Sequence, residues 1–208
     1  MEHADTDGGA PALIFDNGVV TYSQLAEAVS RRVHALRSDH PYRSGSAAGG
    51  GGVVPVPVRL DLASVVEILA HHDAGYVPVP TGGRITIPDG SASEGSASAG
   101  AVLAIATSGS SGERRLVPLT MANLSSAVAA SRARLRTGPG DRWLACLPLD
   151  HIGGLSVLYR SFEAGGAAVI GAFDDGLPDL IGRAEPTVAS LVPTMVHRML
   201  AADAGQLA

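Results

Sequence analysis

AVLAIATSGSSGERRLVPLTMANLSSAVAASRARLR, residues 101–136, carries the clearest structural pattern in this sequence. The apolar run 101–106 predicts a buried strand, and the second apolar run 116–119 predicts another. Between them lies a loop of small polar residues. Thr120 is suited to cap a helix that continues to about residue 136. The stretch therefore predicts a strand, a loop, a strand and a helix in that order.

The same alternation continues on both sides of this stretch. Towards the C-terminus, apolar runs predict strands at 143–149, 167–170 and 188–192 and helices at 155–164, 177–184 and 195–202. Towards the N-terminus, the sequence predicts a hairpin over 12–20, a helix over 22–36, a strand over 53–58, a helix capped by Asp61 and ended by Gly75, and a strand over 76–79. Strands that alternate with helices predict an α/β fold, with largely parallel sheets flanked by helices.

Two segments without apolar periodicity divide the chain. Residues 44–52 and 91–100 are rich in Gly, Ser and Ala and have few side chains to bury. The expected organisation is a disordered N-terminus, a small α/β segment, a flexible linker and an α/β subdomain with a phosphate loop. Their expected bounds are 1–11, 12–80, 81–100 and 101–208.

Composition excludes several classes of protein. The formal net charge is −5, so the chain lacks the basic footprint of a nucleic-acid-binding protein. All fifteen basic residues are Arg, which excludes mechanisms that need a lysine nucleophile or a Walker-type lysine. No apolar run is long enough to span a bilayer. A single cysteine, Cys146, and an acidic N-terminus without a signal region predict a cytoplasmic protein.

The Ser/Gly loop is the first candidate site. Residues 107–112, TSGSSG, directly follow a predicted buried strand, and Arg114 and Arg115 precede the next one. Backbone N–H groups and hydroxyls of such a turn can bind phosphate oxygens, with arginine supplying charge. The alternative is a plain Gly/Ser linker. The loop's position between two strands favours phosphate binding.

Three other groups of residues carry side chains suited to chemistry. His151 follows a buried strand and precedes Gly153 and Gly154, where backbone can approach a ligand, although a lone histidine is often structural. Asp150 beside it is expected to face solvent. The run His71, His72, Asp73 at a helix end is expected to be a solvated terminus and not a metal site, because adjacent side chains point to different faces.

Several segments, in order, resemble the adenylate-forming superfamily, which comprises acyl-CoA synthetases, adenylation domains and luciferases. TSGSSGERRLV (107–117) resembles its phosphate loop, usually written TSGTTGxPKGV. TYSQLAEAV (21–29) is similar to an early tyrosine-containing helix, and ILAHHDAGYVPVP (68–80) to the LxAGAxYVPL segment. The segment 147–170, LPLDHIGGLSVLYRSFEAGGAAVI, with SLVPTMVHRML at 190–200, resembles the o-succinylbenzoate–CoA ligases of menaquinone synthesis and related ligases.

The resemblance implies a set of ligands and site residues. It implies ATP, Mg²⁺ and CoA as cofactors, and a small carboxylic acid of the o-succinylbenzoate class as substrate. The implied ATP phosphate site is Thr107, Ser108, Gly109, Ser110, Ser111, Gly112 and Arg115. The resemblance places His151 at the carboxylate-substrate pocket, and Gly153, Gly154, Arg160, Ser190 and Thr194 are expected to line the same pocket. A solvated helix face for Arg160 and helix capping by Thr194 are the structural alternatives.

The sequence also departs from the family pattern. Arg114 and Arg115 replace the usual proline and lysine of the phosphate loop. The family's later motifs and its catalytic lysine do not occur in these 208 residues, so the implied catalytic set is incomplete. The expectation is an N-terminal fragment of an acid–CoA ligase that is inactive alone. The alternative is a non-catalytic adenylation-like module for binding or dimerisation, which leaves a homodimer open.

Overall fold

Strands and helices alternate along most of the chain in its computed structural model, which describes residues 7–39, 52–82, 100–108 and 114–206. The elements within these residues are β1 (Pro11–Phe15), β2 (Gly18–Thr21), α1 (Tyr22–Asp39), β3 (Val53–Pro57), α2 (Leu62–Asp73), β4 (Val77–Thr81), β5 (Ala101–Ser108), β6 (Arg114–Thr120), α3 (Met121–Leu135), β7 (Arg142–Ala145), α4 (Ile152–Ala164), β8 (Ala167–Ile170), α5 (Leu177–Ala184), β9 (Val188–Ala189) and α6 (Pro193–Gln206). No helix among these residues is long and apolar enough to cross a membrane.

The largest sheet has five strands in the order β2-β1-β8-β7-β9. The hairpin β1–β2 is antiparallel, and β1, β8, β7 and β9 are parallel to one another. Each face of this sheet is covered by apolar side chains: Trp143 of β7 belongs to the main core, whereas its neighbour Leu144 packs with α5. The predicted α/β class, with largely parallel pairing and flanking helices, is confirmed.

The segment β3–α2–β4 is a parallel strand–helix–strand unit. Strand β3 pairs with β4 over five residues, from Val53 with Val77 to Pro57 with Thr81. Asp61 caps α2 by accepting a hydrogen bond from Ser64 N at 2.8 Å. Gly75 follows the end of the helix with φ +89°, a conformation that glycine adopts without strain. The predicted cap and the predicted glycine stop are both confirmed.

Strands β5 and β6 form an antiparallel pair of their own, which leads into α3. Thr120 caps α3: its side chain accepts from Asn123 N, and the Asn123 side chain accepts from Thr120 N. The two strands and the Thr120 cap lie where the sequence predicts them. Residues 109–113, which join the two strands, lie outside the described residues.

Both sides of the predicted 81–100 division contribute to the main core. Leu13 and Val56 from the first side pack in one cluster with Leu103, Trp143 and Leu155 from the second. Residues 83–99 lie outside the described residues, so the linker within them stays a prediction. The same holds for residues 1–6 of the N-terminus, whereas Gly8 O accepts a hydrogen bond from Ser23 N at 2.9 Å.

Several predicted bounds differ from the structure, among them the ends of two strands and the starts of two helices. Strand β7 ends at Ala145 and not at 149, and β9 ends at Ala189 and not at 192, because the following prolines, Pro148 and Pro193, lead the chain out of the sheet. Helix α4 begins at Ile152, three residues earlier than predicted, and α6 begins at Pro193, which is well suited to a first helical turn.

Candidate functional site

The β5–β6 pair brings the two ends of the predicted phosphate loop together. Thr107 pairs with Arg115, and Ser108 with Arg114, across the antiparallel strands. The Thr107 hydroxyl donates a hydrogen bond to the Arg115 carbonyl oxygen at 3.2 Å. Of the predicted phosphate residues, Gly109, Ser110, Ser111 and Gly112 lie outside the described residues. The structure therefore places the ends of the loop, and the role of the loop itself stays a prediction.

The Arg115 side chain at this hairpin is exposed. A guanidinium group that faces water can approach a phosphate without first leaving a buried ion pair, and it donates in a fork that matches phosphate oxygens. The flanking strands hold the backbone of Thr107 and Arg115 in register. The Arg115 guanidinium is therefore a donor group that suits phosphate oxygens, such as those of ATP. Exposure also means that water competes for the same contacts, so each contact is weak by itself.

A cavity of about 420 Å³ opens between α3, α4 and the chain that follows β9. Most of its lining is apolar, and its polar groups come mainly from α4 and from the turn after β9. The lining residues are Leu124, Ala127, Val128, Leu147, Ile152, Gly153, Ser156, Tyr159, Arg160, Ala189, Ser190 and Leu191. Three of the predicted acyl-pocket residues, Gly153, Arg160 and Ser190, are therefore brought together here.

Arg160 is the cation of this cavity. Its Cζ lies 5.3 Å from the centroid of the Trp143 ring, which is a cation–π distance. Its Nε is buried and has no hydrogen-bond partner among the described residues. Burial lowers the pKa of Arg160, although a guanidinium keeps its charge at neutral pH. The alternative of a fully solvated helix face does not hold, because the side chain is half-buried against an aromatic ring.

Ser190 lies on the same wall and is held by the same tryptophan. Trp143 Nε1 donates a hydrogen bond to Ser190 Oγ at 3.0 Å. The Cys146 thiol lies 4.0 Å from the Ser190 carbonyl oxygen, and burial raises the pKa of that thiol, which keeps it protonated. The serine hydroxyl therefore lies at a defined position at the end of β9.

The other predicted pocket residues are placed differently. His151 is exposed at the N-cap of α4, and its side chain makes no capping hydrogen bond. A Cβ on Gly154 would overlap the carbonyl oxygens of Leu147 and Pro148, so this glycine serves close packing of α4. Thr194 is exposed and is the second residue of α6, which makes the capping alternative wrong. None of these three residues lines the cavity described above.

Two expectations about neighbouring side chains are corrected. Asp150 does not simply face solvent: it is half-buried, with its carboxylate directly over the Cα of Gly82. His71 is buried, because Tyr76 packs edge-on against its ring and Nδ1 lies 2.8 Å from the Glu67 carbonyl oxygen. Among the described residues, no cluster of three or more His, Cys, Asp or Glu side chains could hold a metal ion.

Trp143 and Tyr159 are the site residues that sequence reasoning missed. Each occupies an inward position on a strongly apolar element, where an aromatic side chain usually indicates core. Tyr159 is buried, and its hydroxyl has no hydrogen-bond partner among the described residues. Burial, with a smaller effect from the negative charge of Asp73, raises the pKa of Tyr159. For Tyr159 the usable signal was its place beside Arg160 in the segment 147–170, whereas nothing in the sequence around Trp143 marks the partner of its N–H.

The family described as AMP-binding enzyme matches residues 92–208, which is more than half of the chain. With the α/β fold and the hairpin described above, this match shows that the chain belongs to the AMP-binding enzyme family. Its curated relatives include 2-succinylbenzoate–CoA ligases. That of Lactococcus lactis is 36% identical over 95 residues, which are 45% of this chain and 21% of the relative. That of Bacillus cereus is 29% identical over 147 residues, 68% of this chain and 30% of the relative.

Solved structures share the fold. O-succinylbenzoate coenzyme A synthetase of Bacillus subtilis, in complex with ATP and magnesium ion, superposes with a TM-score of 0.77 at 23% identity, over 92% of this chain and 62% of that one. Apo MatB of Rhodopseudomonas palustris gives 0.75 at 22% identity, over 94% and 48%. The chain thus spans less than two thirds of these relatives and about a fifth to a third of the curated ones.

Proposed function

We propose that this chain supplies the phosphate-binding hairpin and the acyl pocket of an ATP-dependent acid–CoA ligase. In that reaction a carboxylate oxygen attacks the α-phosphorus of ATP, the bond to the bridging oxygen breaks, and pyrophosphate leaves. The thiol of CoA then takes the acyl group and AMP departs. The observation that carries the proposal is the half-buried cation Arg160 in a mostly apolar cavity.

The two ends of the site have different tasks. ATP with Mg²⁺ would supply the adenylyl group, and Arg115 with the residues 107–112 would neutralise charge that develops on the leaving pyrophosphate. Gly153 and the apolar lining would exclude water from the acyl group, while Arg160 and Ser190 offer hydrogen-bond donors to a carboxylate. Thr107 holds the hairpin closed through its bond to the Arg115 carbonyl.

The shape and polarity of the cavity favour an acid with two carboxylates on an apolar skeleton. A half-buried cation on a mostly apolar wall is stabilised by an anion that stays in place during the reaction. A second carboxylate of the substrate would be that anion while the first carboxylate is adenylated. The 2-succinylbenzoate–CoA ligases among the relatives act on such a diacid, as their name states. We therefore assign an aromatic diacid of the o-succinylbenzoate class as the substrate of this pocket.

Removing one charge at each end of the site tests this assignment. Arg160→Ala is expected to weaken binding of 2-succinylbenzoate about tenfold, because it removes a charge-assisted contact in a half-buried site. Arg115→Ala is expected to weaken pyrophosphate binding by about threefold, because its side chain is exposed. Each variant should leave the other ligand unaffected in calorimetric titrations.

Arg134→Ala, which removes an exposed arginine of α3, is the matched control and should change neither affinity. If all three variants bound both ligands more weakly by the same factor, the effect would come from the change in net charge and not from contacts at these two arginines. Unchanged affinities in Arg115→Ala and Arg160→Ala would overturn the proposal.

A further inference from the structure

Trp143 contacts two of the polar side chains that line the candidate acyl cavity, Arg160 and Ser190. It lies on β7 and is only 3% exposed. Its ring face lies under the guanidinium of Arg160 from α4, with Cζ 5.3 Å from the centroid. Its Nε1 donates to Ser190 Oγ, beyond the end of β9, at 3.0 Å. One buried side chain therefore contacts the cavity's cation and one of its hydroxyl groups at the same time.

The chemistry of the indole determines what each neighbour can offer. Indole N–H is only a donor, so Ser190 Oγ must be the acceptor in this bond, and the serine proton stays available to donate elsewhere. The ring face attracts a cation but accepts no conventional hydrogen bond from it, which leaves the guanidinium N–H groups available. In agreement, Arg160 Nε has no partner among the described residues. Both neighbours of Trp143 are thus left as donors.

We infer that Trp143 is a positioning residue that sets Arg160 and Ser190 as a pair of donors for one carboxylate of the acyl ligand. This inference rests on the proposed function of the cavity as an acyl pocket. Packing alone explains the burial of the ring and the need for some acceptor for its N–H. It does not explain why the acceptor and the stacked cation both belong to the cavity wall.

The test compares the diacid with two mono-acids of the same skeleton, each lacking one carboxylate of 2-succinylbenzoate. The wild type is expected to prefer the diacid over at least one mono-acid by about tenfold. Trp143→Phe keeps a ring under Arg160 and removes the N–H. This variant should weaken diacid binding about three- to tenfold. It should not change the affinity for the weaker-binding mono-acid, because that ligand lacks the carboxylate that Arg160 and Ser190 would bind.

A double-mutant cycle separates positioning from packing. If Trp143 acts through Ser190, Trp143→Phe costs no further affinity in a Ser190→Ala background. The same loss in both backgrounds would mean that the tryptophan is only structural and would overturn the inference. Tyr22→Phe is the control, because it removes one hydrogen bond elsewhere, from the Tyr22 hydroxyl to the Gly166 carbonyl at 2.6 Å. It should lower thermal stability without changing diacid affinity.

The chain has one tryptophan, which provides a second measurement if Trp143→Phe does not fold. Its single indole N–H resonance in the folded wild type should shift on saturation with the diacid and should shift on Ser190→Ala. An unmoved resonance at saturation overturns the inference while leaving the acyl pocket in place. Equal binding of diacid and mono-acids by the wild type would instead overturn the proposed substrate class, and the inference with it.

Discussion

Asp141 shows how one carboxylate ties two strands of the large sheet together. The Thr187 hydroxyl donates to its Oδ1 at 2.6 Å, and Gly138 N donates to its Oδ2 at 2.7 Å. The same hydroxyl accepts from Arg142 N at 3.1 Å, so the start of β7 is linked to the residue before β9. The bond from Thr187, and then the bond from Gly138, lower the pKa of Asp141 because both favour the charged form.

This lowered pKa predicts an acid-dependent stability. A depressed carboxyl pKa stabilises the fold fully above the unfolded-state value of about 3.9, and the contribution is lost as the pH falls through the folded-state value. Asp141→Asn should therefore unfold at a lower temperature than the wild type at pH 7, with the difference shrinking below about pH 4. Asp175→Asn, at an exposed carboxylate without a hydrogen-bond or ion-pair partner among the described residues, should match the wild type across this pH range. A difference that does not change with pH would contradict the prediction.

The residues of the candidate site differ in how far the sequence could predict them. Arg160, Ser190 and Gly153 were predictable through motif position, and they do line one cavity. Trp143 was not, because a strand pattern gives the direction of a side chain but not the partner of its N–H. His151 matches a motif as well as Arg160 does, yet it is exposed at a helix end. Only the packing of α4 against β7 distinguishes these two residues.

Most elements follow from periodicity and capping residues, whereas their ends depend on contacts between distant residues. Helix α1 and the cap of α3 are local features and were predicted. Gly153 and Gly154 discourage a helix by propensity, so the predicted start of α4 was Leu155. The helix begins earlier because Gly154 lets it approach the backbone of Leu147 and Pro148. Tertiary packing overrides propensity at this point.

Gly154 of α4 and Gly182 of α5 should respond in opposite directions to replacement by alanine. In Gly154→Ala the new methyl group meets backbone carbonyls that cannot move aside, and we expect a loss of about 1 to 3 kcal/mol in the free energy of unfolding. Gly182 has open space around its Cβ position, so Gly182→Ala should stabilise by about 0.5 to 1 kcal/mol. Chemical denaturation of both variants measures this. A gain in stability in Gly154→Ala would contradict the close packing.

At the scale of the whole molecule, strand order is the property that sequence patterns left undetermined. Each strand can be recognised alone, but nothing local places β1 between β2 and β8. That neighbour relation depends on which apolar faces complete one core, and the main core draws on both sides of the 81–100 segment. The division of the chain that composition predicts therefore follows the order of segments along the sequence. It does not describe how the strands are arranged in space.

A shared core predicts a single cooperative unfolding transition. Leu13 of β1 is 0% exposed, and Leu13→Ala should cost about 2 to 5 kcal/mol. The loss should appear equally in far-ultraviolet circular dichroism and in the fluorescence of Trp143, which lies on β7. Val19→Ala, at a 53% exposed position of β2, should shift neither signal appreciably. If Leu13→Ala left the Trp143 transition in place, the N-terminal segment would be an independent unit.

The parallel pairing of Leu13 with Ala168 has a consequence for how the chain reaches its native state. The two residues are separated by more than half of the sequence, and closing such a long connection is slow compared with forming a local hairpin. On the ribosome, the β1–β2 hairpin is complete long before β8 is synthesised. During that interval β1 has one unpaired edge and an apolar face, features that promote intermolecular association. We therefore expect the yield of folded protein to depend on synthesis speed and on chaperone supply, and not only on the stability of the finished fold.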